Sequence, residues 1–185
     1  MTNQYNLDDY KLDVVRVKLI VDKKIFSNEP LDSPDAAIKV VGEMIRDEDR
    51  EFLCAINLDA RLRPINLNVI SIGSVNQTFA PLTNIFKSGI LSNASSIMLM
   101  HNHPSGCTDP SNEDDRLTMR VFKMGKLMEL PLVDHIIVGP GPEYYSYSEN
   151  NRFESFTYDN LDLIDELVAA EKKKKKKTSR TSNKR

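Results

Sequence analysis

Apolar and polar residues follow one another along the chain in a pattern that predicts a mixed α/β fold. Short apolar or alternating runs favour strands, and apolar residues that return at helical spacing favour helices. Strands are predicted over residues 14–21, 51–58, 64–72, 95–100, 132–139 and 144–148. Helices are predicted over about residues 33–47, 81–92, 111–129 and 161–171.

Residues that start helices and form turns set several of these boundaries. Ser33 is a favoured N-cap, and Pro34 suits the first turn of a helix. Ser111 likewise predicts a helix start, with Asp114 at the third helical position. The second and third strands are separated by the short segment 59–63, which predicts a hairpin. The chain then divides into an N-terminal strand and lead-in (1–32), a main domain (33–150), a C-terminal helix (151–171) and a tail (172–185).

Two of the three histidines in the chain lie one residue apart at the end of a predicted buried strand. Because residues i and i+2 of a strand point to the same side, His101 and His103 can direct both imidazoles at one point. The following turn and the helix that starts at Ser111 would return the Asp114 carboxylate to the same place. Two neutral imidazoles and one carboxylate make a three-ligand zinc set that leaves a fourth position for water, as in catalytic sites.

Simpler interpretations of these residues stay open at this point. The two histidines could be a hydrogen-bonded pair at a strand end, and Asp114 could serve only as the carboxylate of a capping box. Spacing alone does not separate Asp114 from the neighbouring carboxylates as a ligand, namely Asp109, Glu113 and Asp115.

The same segment resembles a known family. The order His-x-His, seven residues, Ser, two residues, Asp is similar to the zinc motif of the JAB/MPN (JAMM) metalloprotease superfamily. More narrowly, the chain resembles the RadC-like JAB domain of bacterial chromosomes and mobile elements over about residues 33–148. The positions that carry this resemblance are 101–106, Pro110, Ser111, Asp114, Thr118 and 132–139. The resemblance implies an α/β (α+β mixed) fold, with a mostly antiparallel central sheet flanked by helices and layering similar to that of cytidine deaminase. It also selects Asp114 as the third zinc ligand.

Glu51 is the candidate general base. A carboxylate at the head of a buried strand is unusual because burying an unpartnered charge is costly, and the RadC-like pattern also opens this strand with glutamate. The resemblance implies that Glu51 accepts a proton from zinc-activated water and returns it to the leaving amine. Ser111 would donate a hydrogen bond to the developing oxyanion. The alternatives are a surface ion pair of Glu51 with Arg50, use of Glu43 or Glu48 as the base, and a purely capping role for Ser111.

Three more residues near the motif have several possible roles. Cys107 could close the zinc site as a fourth ligand or act with a histidine as a nucleophile, and neither role is favoured. RadC-like loops commonly carry a polar or acidic residue near this position, so the cysteine is a departure. His135 lies in an apolar strand and is expected to be a hydrogen-bonded residue that supports the structure or the site. Asp134 is a candidate for orienting a zinc histidine.

Composition limits the class of protein. With 185 residues and 40% hydrophobic content, the chain can fill one core of ordinary size. No apolar run approaches the ~20 residues that span a bilayer, and the N-terminus lacks the basic and apolar segments of a signal peptide. Two cysteines make a poor disulfide framework and fit a reducing compartment. We therefore expect a cytoplasmic protein with no membrane association; the sequence does not predict its oligomeric state.

Charge is distributed unevenly along the chain. Nine of the 25 Lys and Arg residues lie within 172–185, and all 27 acidic residues precede that segment. A block of like charges without apolar residues cannot bury enough surface to offset the cost of ordering, so this tail is predicted to be disordered. It could make weak contact with nucleic acid through counterion release, or it could simply be a solvated tail.

The residues and the resemblance together favour a Zn²⁺-dependent metallohydrolase of the JAMM type that cleaves a peptide or isopeptide bond. The expected partner is a peptide or protein substrate that carries such a bond. An alternative from another class is a non-catalytic, zinc-bound JAB module associated with DNA repair or mobile-element DNA metabolism. A metal-dependent nuclease is less favoured, because phosphodiester cleavage often uses carboxylate-rich two-metal sites.

Overall fold

Five strands and four helical segments make up the computed structural model, which describes residues 16, 18–25, 27, 29–73 and 80–157. The strands are β1 (Phe52–Leu58), β2 (Pro64–Ile72), β3 (Ser96–Asn102), β4 (Leu132–Val138) and β5 (Tyr144–Ser146). Helix α1 covers residues 34–45 and is α-helical over Pro34–Ala37, π-helical over Ile38–Gly42 and α-helical again over Glu43–Ile45. The other helices are α2 (Leu82–Leu91), α3 (Asn112–Leu127) and α4 (Arg152–Thr157).

The strands form one sheet in the order β2-β1-β3-β4-β5. All neighbouring pairs are antiparallel except β3 and β4, which are parallel. A parallel pair needs a crossover between its strands, and α3 provides it. The predicted hairpin of β1 and β2 is present, closed by Asp59, whose carboxylate accepts hydrogen bonds from the backbone N–H groups of Arg61 and Arg63 at 2.8 and 3.0 Å. These observations confirm a mixed α/β fold with a mostly antiparallel sheet flanked by helices.

Helices cover both faces of the sheet, so the strands at its centre are buried on both sides. One face packs on α2, α3 and α4 through a core that includes Leu53, Leu99 and Ile137. The opposite face packs on α1 through a core that includes Cys54, Met100 and Ile136. Residues of β1 from Leu53 onward and all of β3 are therefore buried, which explains why these strands are almost continuously apolar rather than alternating.

Helix starts agree with the sequence prediction. The Ser33 hydroxyl accepts a hydrogen bond from Ala36 N at 3.3 Å at the start of α1. Ser111 caps α3 in the same way, through Asp114 N at 3.1 Å. The π-helical turn inside α1 was not predicted, because apolar spacing does not distinguish it from an ordinary helical turn.

The terminal segments differ from the sequence prediction. Residues 16 and 18–21 of the predicted first strand are described, and they carry no strand. Their alternation of apolar residues does not meet a partner strand, and Ile20 is 92% exposed. The predicted helix 161–171 and the basic tail 172–185 lie outside the described residues, whereas α4 was not predicted as a separate helix. No helix in the described part of the chain is both long and apolar enough to cross a membrane.

Candidate metal centre

Three side chains with metal-binding atoms converge where β3 ends and α3 begins. His101 Nε2 lies 3.0 Å from His103 Nε2 and 3.2 Å from Asp114 Oδ1. His103 Nε2 lies 3.5 Å from Asp114 Oδ2. One ligand atom from each residue falls within 4.8 Å of the others, so the three could hold one metal ion. His101 and Asp114 are buried, and His103 is partly exposed.

Strand register places the two histidines on the correct face of the sheet. His101 is the sixth residue of β3 and points to the α3 side, as Leu99 does two residues earlier. His103 follows the strand, and its backbone N–H donates to Val138 O of β4 at 2.8 Å, which keeps this residue aligned with the sheet. The chain then turns at Gly106, whose φ of 82° favours glycine. Gly106 packs against Gly139, where an added Cβ would lie 3.3 Å from the Gly106 backbone.

A capping box holds the third candidate ligand. Asp114 Oδ2 accepts hydrogen bonds from Ser111 N at 2.8 Å and from the Ser111 hydroxyl at 2.6 Å. Asp114 N donates back to the Ser111 hydroxyl. The capping role of Asp114 is therefore compatible with a ligand role, because the cap engages Oδ2 while Oδ1 faces His101.

Hydrogen bonds on the far side of each imidazole determine which nitrogen carries the proton. His103 Nδ1 lies 2.6 Å from the carbonyl oxygen of Cys107. A carbonyl only accepts, so His103 Nδ1 carries the hydrogen. In the neutral ring, His103 Nε2 is then left with a lone pair directed at His101 and Asp114.

The same reasoning applies to His101 through a longer chain of contacts. The Thr118 hydroxyl lies 2.5 Å from Asp114 O and must donate its hydrogen to that carbonyl. It therefore accepts from His135 Nδ1, which is 2.6 Å away. His135 Nε2 is left as an acceptor for His101 Nδ1 at 2.8 Å. His101 Nε2 consequently also presents a lone pair to the centre.

Three electron-rich atoms that face each other at about hydrogen-bond distance need a positive charge between them. Burial alone would raise the pKa of the Asp114 carboxyl, but hydrogen bonds that His101 and His103 donate when they are protonated hold it well below its usual range. The hydrogen bond with Asp114 raises the pKa of His103 despite burial. Both pKa shifts indicate that the site favours a cation, which can be a proton or a metal ion. Two imidazoles and a carboxylate are a ligand set that suits zinc.

Glu51 lies beside this centre, on the side of His103. Leu53 of β1 pairs with His101 of β3 in antiparallel register, and the same register continued by two residues would set Glu51 opposite His103. The negative charge of Glu51 contributes to the raised pKa of His103. Glu51 is partly buried, and its own carbonyl accepts a hydrogen bond from Gly73 N at 2.9 Å. The general-base candidate is thus brought to the candidate metal site.

The Ser111 hydroxyl both donates to Asp114 and accepts from it. Its single hydroxyl proton points at Asp114 Oδ2, and its oxygen accepts from Asp114 N. To donate to an oxyanion, this hydroxyl would have to rotate away from Asp114. The Asp114 carboxylate would then still accept a hydrogen bond from Ser111 N. In the observed arrangement Ser111 orients the carboxylate.

Replacing Ser111 by alanine should lower both protein stability and metal affinity. Loss of an N-cap hydroxyl typically costs ~1 kcal/mol, and the Asp114 carboxylate would lose one of the bonds that orient it. Ser33→Ala is a matched control, because it removes a cap of the same kind from α1 on the opposite face of the sheet. Urea unfolding of the zinc-free proteins should show similar losses for both variants. Zinc titration should separate them, and equal zinc affinity in Ser111→Ala and wild type would contradict the orienting role.

Two neighbours of the motif, Asp134 and Cys107, lie outside the group that could hold an ion. Asp134 does not orient a zinc histidine: its carboxylate accepts from the backbone N–H groups of His135 and Ser148 and from the Ser146 hydroxyl. Adjacent strand residues point to opposite faces, so Asp134 lies on the α1 side while His135 faces the metal centre. Cys107 contributes its carbonyl to His103, and its sulfur lies 3.9 Å from Asp109 Oδ2. The group that could hold an ion does not include this sulfur.

Sequence reasoning gave no role to two residues that the structure connects to the centre. Thr118 binds His135 and the backbone of Asp114, and its position four residues after Asp114 on a helix was the available signal. Tyr147 stacks on His135, with ring centroids 5.2 Å apart and planes inclined by 13°. Its hydroxyl donates to Asp115 at 3.1 Å. No local pattern indicates this stacking, because it depends on how β5 and the turn after it meet β4.

The fold and the site together define a class of protein. The mixed sheet with its flanking helices is consistent with a JAB/MPN-like fold, and the His-x-His pair at the end of β3 faces an aspartate in the first turn of the crossover helix, where the three could hold a metal ion. The sequence pattern of the family described as "RadC-like JAB domain" matches residues 31–152. The chain belongs to this family, and the resemblance seen in the sequence is confirmed.

Two bacterial proteins illustrate the family. A UPF0758 protein of Thermosynechococcus vestitus is 36% identical over 132 residues, which cover 69% of this chain and 52% of that protein. A UPF0758 protein of Clostridium acetobutylicum is 37% identical over 118 residues, which cover 64% of this chain and 52% of that protein. The chain spans about half the length of these curated relatives. Because the match covers only about half of each relative, any activity, substrate or partner of the whole proteins can only be proposed for this chain.

Proposed function

We propose that the protein is a zinc-dependent hydrolase of the JAMM type that cleaves a peptide or isopeptide bond. The observation that carries this proposal is the convergence of two imidazole lone pairs and one carboxylate, with a second carboxylate, Glu51, beside them. Membership of the RadC-like JAB family supports the same conclusion. Metal binding without a nearby base would fit a structural ion equally well, so Glu51 is what favours catalysis.

The proposed ion is Zn²⁺, held by His101, His103 and Asp114. Zinc commonly uses imidazole and carboxylate ligands, and three protein ligands leave a position open to solvent. When bound, zinc would supply Lewis acidity, which lowers the pKa of water and polarises a carbonyl group. The hydrogen bonds of His103 to Cys107 O and of Asp114 to Ser111 would hold the ligands in place.

The proposed roles of the remaining residues follow from their surroundings. Glu51 takes a proton from the attacking water and gives it to the leaving amine, which makes it a general base and then a general acid. Its partly buried position beside His103 keeps it near the reacting groups. Ser111 orients Asp114, and its hydroxyl can assist an oxyanion only after rotating away from that carboxylate.

The proposed substrate is a peptide or a protein conjugate that carries an amide or isopeptide bond. Both cysteines are free thiols, which supports a reducing compartment and hence the proposed cytoplasmic location. Weak contact of the 172–185 tail with nucleic acid is also proposed, because nine basic residues lie there without any acidic ones.

Hydrolysis assays on a substrate panel test the function. Purified protein would be stripped with a chelator, reloaded with one equivalent of zinc, and incubated with fluorogenic peptides and with isopeptide-linked lysine substrates. We expect turnover that appears with zinc and disappears with the chelator. A protein that binds zinc stoichiometrically but cleaves no member of the panel would contradict the proposal and would favour the non-catalytic JAB module. A protein that binds no zinc would contradict both.

A further inference from the structure

We propose that Thr118 and His135 form a hydrogen-bond relay that fixes the tautomer and the orientation of His101 for metal binding. This inference rests on the proposed metal site, and it adds two positioning residues that lie outside the group that could hold the ion. The relay runs from Asp114 O through the Thr118 hydroxyl and both nitrogens of His135 to His101 Nδ1. Its result is that His101 Nε2 faces the centre without a proton.

Each link of the relay has a direction that the chemistry dictates. Asp114 O can only accept, so the Thr118 hydroxyl donates to it and has only lone pairs left for His135 Nδ1. His135 then has one hydrogen, on Nδ1, and one lone pair, on Nε2. That lone pair, 2.8 Å from His101 Nδ1, accepts the only hydrogen of a neutral His101 ring. One threonine hydroxyl thereby determines the proton positions on two imidazoles.

The surroundings of the relay keep it dry and rigid. His135 and Thr118 are 0% exposed, and His101 is 1% exposed. Water therefore has little access to offer alternative hydrogen bonds. Tyr147 stacks on one face of His135, and the tyrosine hydroxyl is itself held by Asp115. The ring of His135 therefore has little freedom to flip. A fixed ring orientation is needed for a hydrogen-bond relay, whereas a side chain that only filled space would not need one.

The relay also joins the two elements that carry the ligands. His101 comes from β3, His135 from the parallel neighbour β4, and Thr118 from the crossover helix α3 that also carries Asp114. In the parallel register Leu99 pairs with His135, which places His135 diagonally beside His101 on the same face. A bond from Thr118 to the backbone of Asp114 then couples the orientation of the imidazole to the position of the carboxylate.

Conservative and disruptive variants at Thr118 test the relay. Thr118→Val has nearly the same shape and removes the hydroxyl, whereas Thr118→Ser keeps it. Partners that orient metal ligands typically contribute 10- to 100-fold in metal affinity, so we expect zinc affinity to fall about 10- to 100-fold in Thr118→Val and to stay within about 3-fold of wild type in Thr118→Ser. His135→Leu should show a loss like that of Thr118→Val. Zinc dissociation constants would be measured by competition with a fluorescent chelator at fixed pH.

A buried control separates positioning from general destabilisation. Val121→Ala removes core volume from the same helix and lies outside the relay. It should lower the free energy of unfolding and leave zinc affinity within about 3-fold of wild type. If Val121→Ala weakened zinc binding as much as Thr118→Val, the relay would be no more than packing.

Nitrogen-15 NMR of the imidazole rings tests the tautomers directly, with or without zinc. In wild-type protein at pH 8, both His101 and His135 should carry their proton on Nδ1, and Thr118→Val should produce a mixture of tautomers for His135. A wild-type His101 ring without a proton on Nδ1 would overturn the relay, whereas a second proton on Nε2 would only supply the cation that the zinc-free site favours. Since this readout uses zinc-free protein, it decides the inference even if zinc binding and the proposed hydrolase activity fail.

Discussion

Glu51→Gln should retain stoichiometric zinc and lose turnover by a factor of about 10²–10⁴, the usual contribution of a general base. Glutamine keeps the size of the side chain and most of its hydrogen-bonding capacity but cannot accept a proton from water. Glu51 is not among the three groups that could hold the ion, so zinc binding should be unaffected. Single-turnover kinetics and metal analysis on the same samples would measure the two effects separately.

Glu48→Gln is the matched control for this variant. Glu48 is an exposed carboxylate three residues earlier in the chain, and it was an alternative candidate base from the sequence. Its replacement should leave kcat within about 2-fold of wild type, as expected for a residue that makes no contact with reacting groups. Wild-type turnover in Glu51→Gln, or a loss of turnover in Glu48→Gln instead, would remove Glu51 from the mechanism.

His101→Ala should abolish stoichiometric zinc binding and all zinc-dependent turnover. The variant removes a buried ligand atom. Its zinc affinity should therefore fall by more than the ~100-fold that is the upper limit typical for residues that only orient a ligand. Asp114→Asn tests the same centre with almost no change of shape. Both variants would be examined for zinc content after dialysis and for native secondary structure by circular dichroism.

Glu113→Gln is the control for the ligand variants. Glu113 precedes Asp114, and its exposed carboxylate forms an ion pair with Arg116 on the same helix. Spacing in the sequence did not exclude it as a ligand, whereas the structure places it away from the two histidines. Full zinc occupancy is expected in Glu113→Gln. Zinc retention by folded His101→Ala and Asp114→Asn would show that the ion lies elsewhere.

Local patterns in the sequence were sufficient to predict most of the fold. The strands from residue 51 onward were predicted from short apolar or alternating runs, and the helices that start after Ser33 and Ser111 were predicted from their capping residues. The segment 14–21 was predicted as a strand from alternation alone, and alternation does not supply a partner strand. The described residues of this segment carry no strand and have no place in the sheet order.

The candidate site divides into a local part and a part that depends on tertiary structure. His101 and His103 share a face because of the two-residue period of a strand. The helix start brings several carboxylates near them, and it was the family resemblance that selected Asp114 among these. The link from His135 to His101 needs the register between β3 and β4, which no local pattern contains. The choice of Asp134 as an orienting carboxylate was wrong for a different and local reason, because adjacent residues on a strand face opposite sides of the sheet.

X-ray absorption spectroscopy at the zinc edge tests the central claim most directly. Protein loaded with one equivalent of zinc should give a first shell of nitrogen and oxygen only, at about 2.0–2.2 Å, with the outer-shell scattering of two imidazole rings. The same spectrum should be obtained from Cys107→Ser. A sulfur ligand at about 2.3 Å, or a first shell without two imidazoles, would contradict an ion held by His101, His103 and Asp114 with a position open to water.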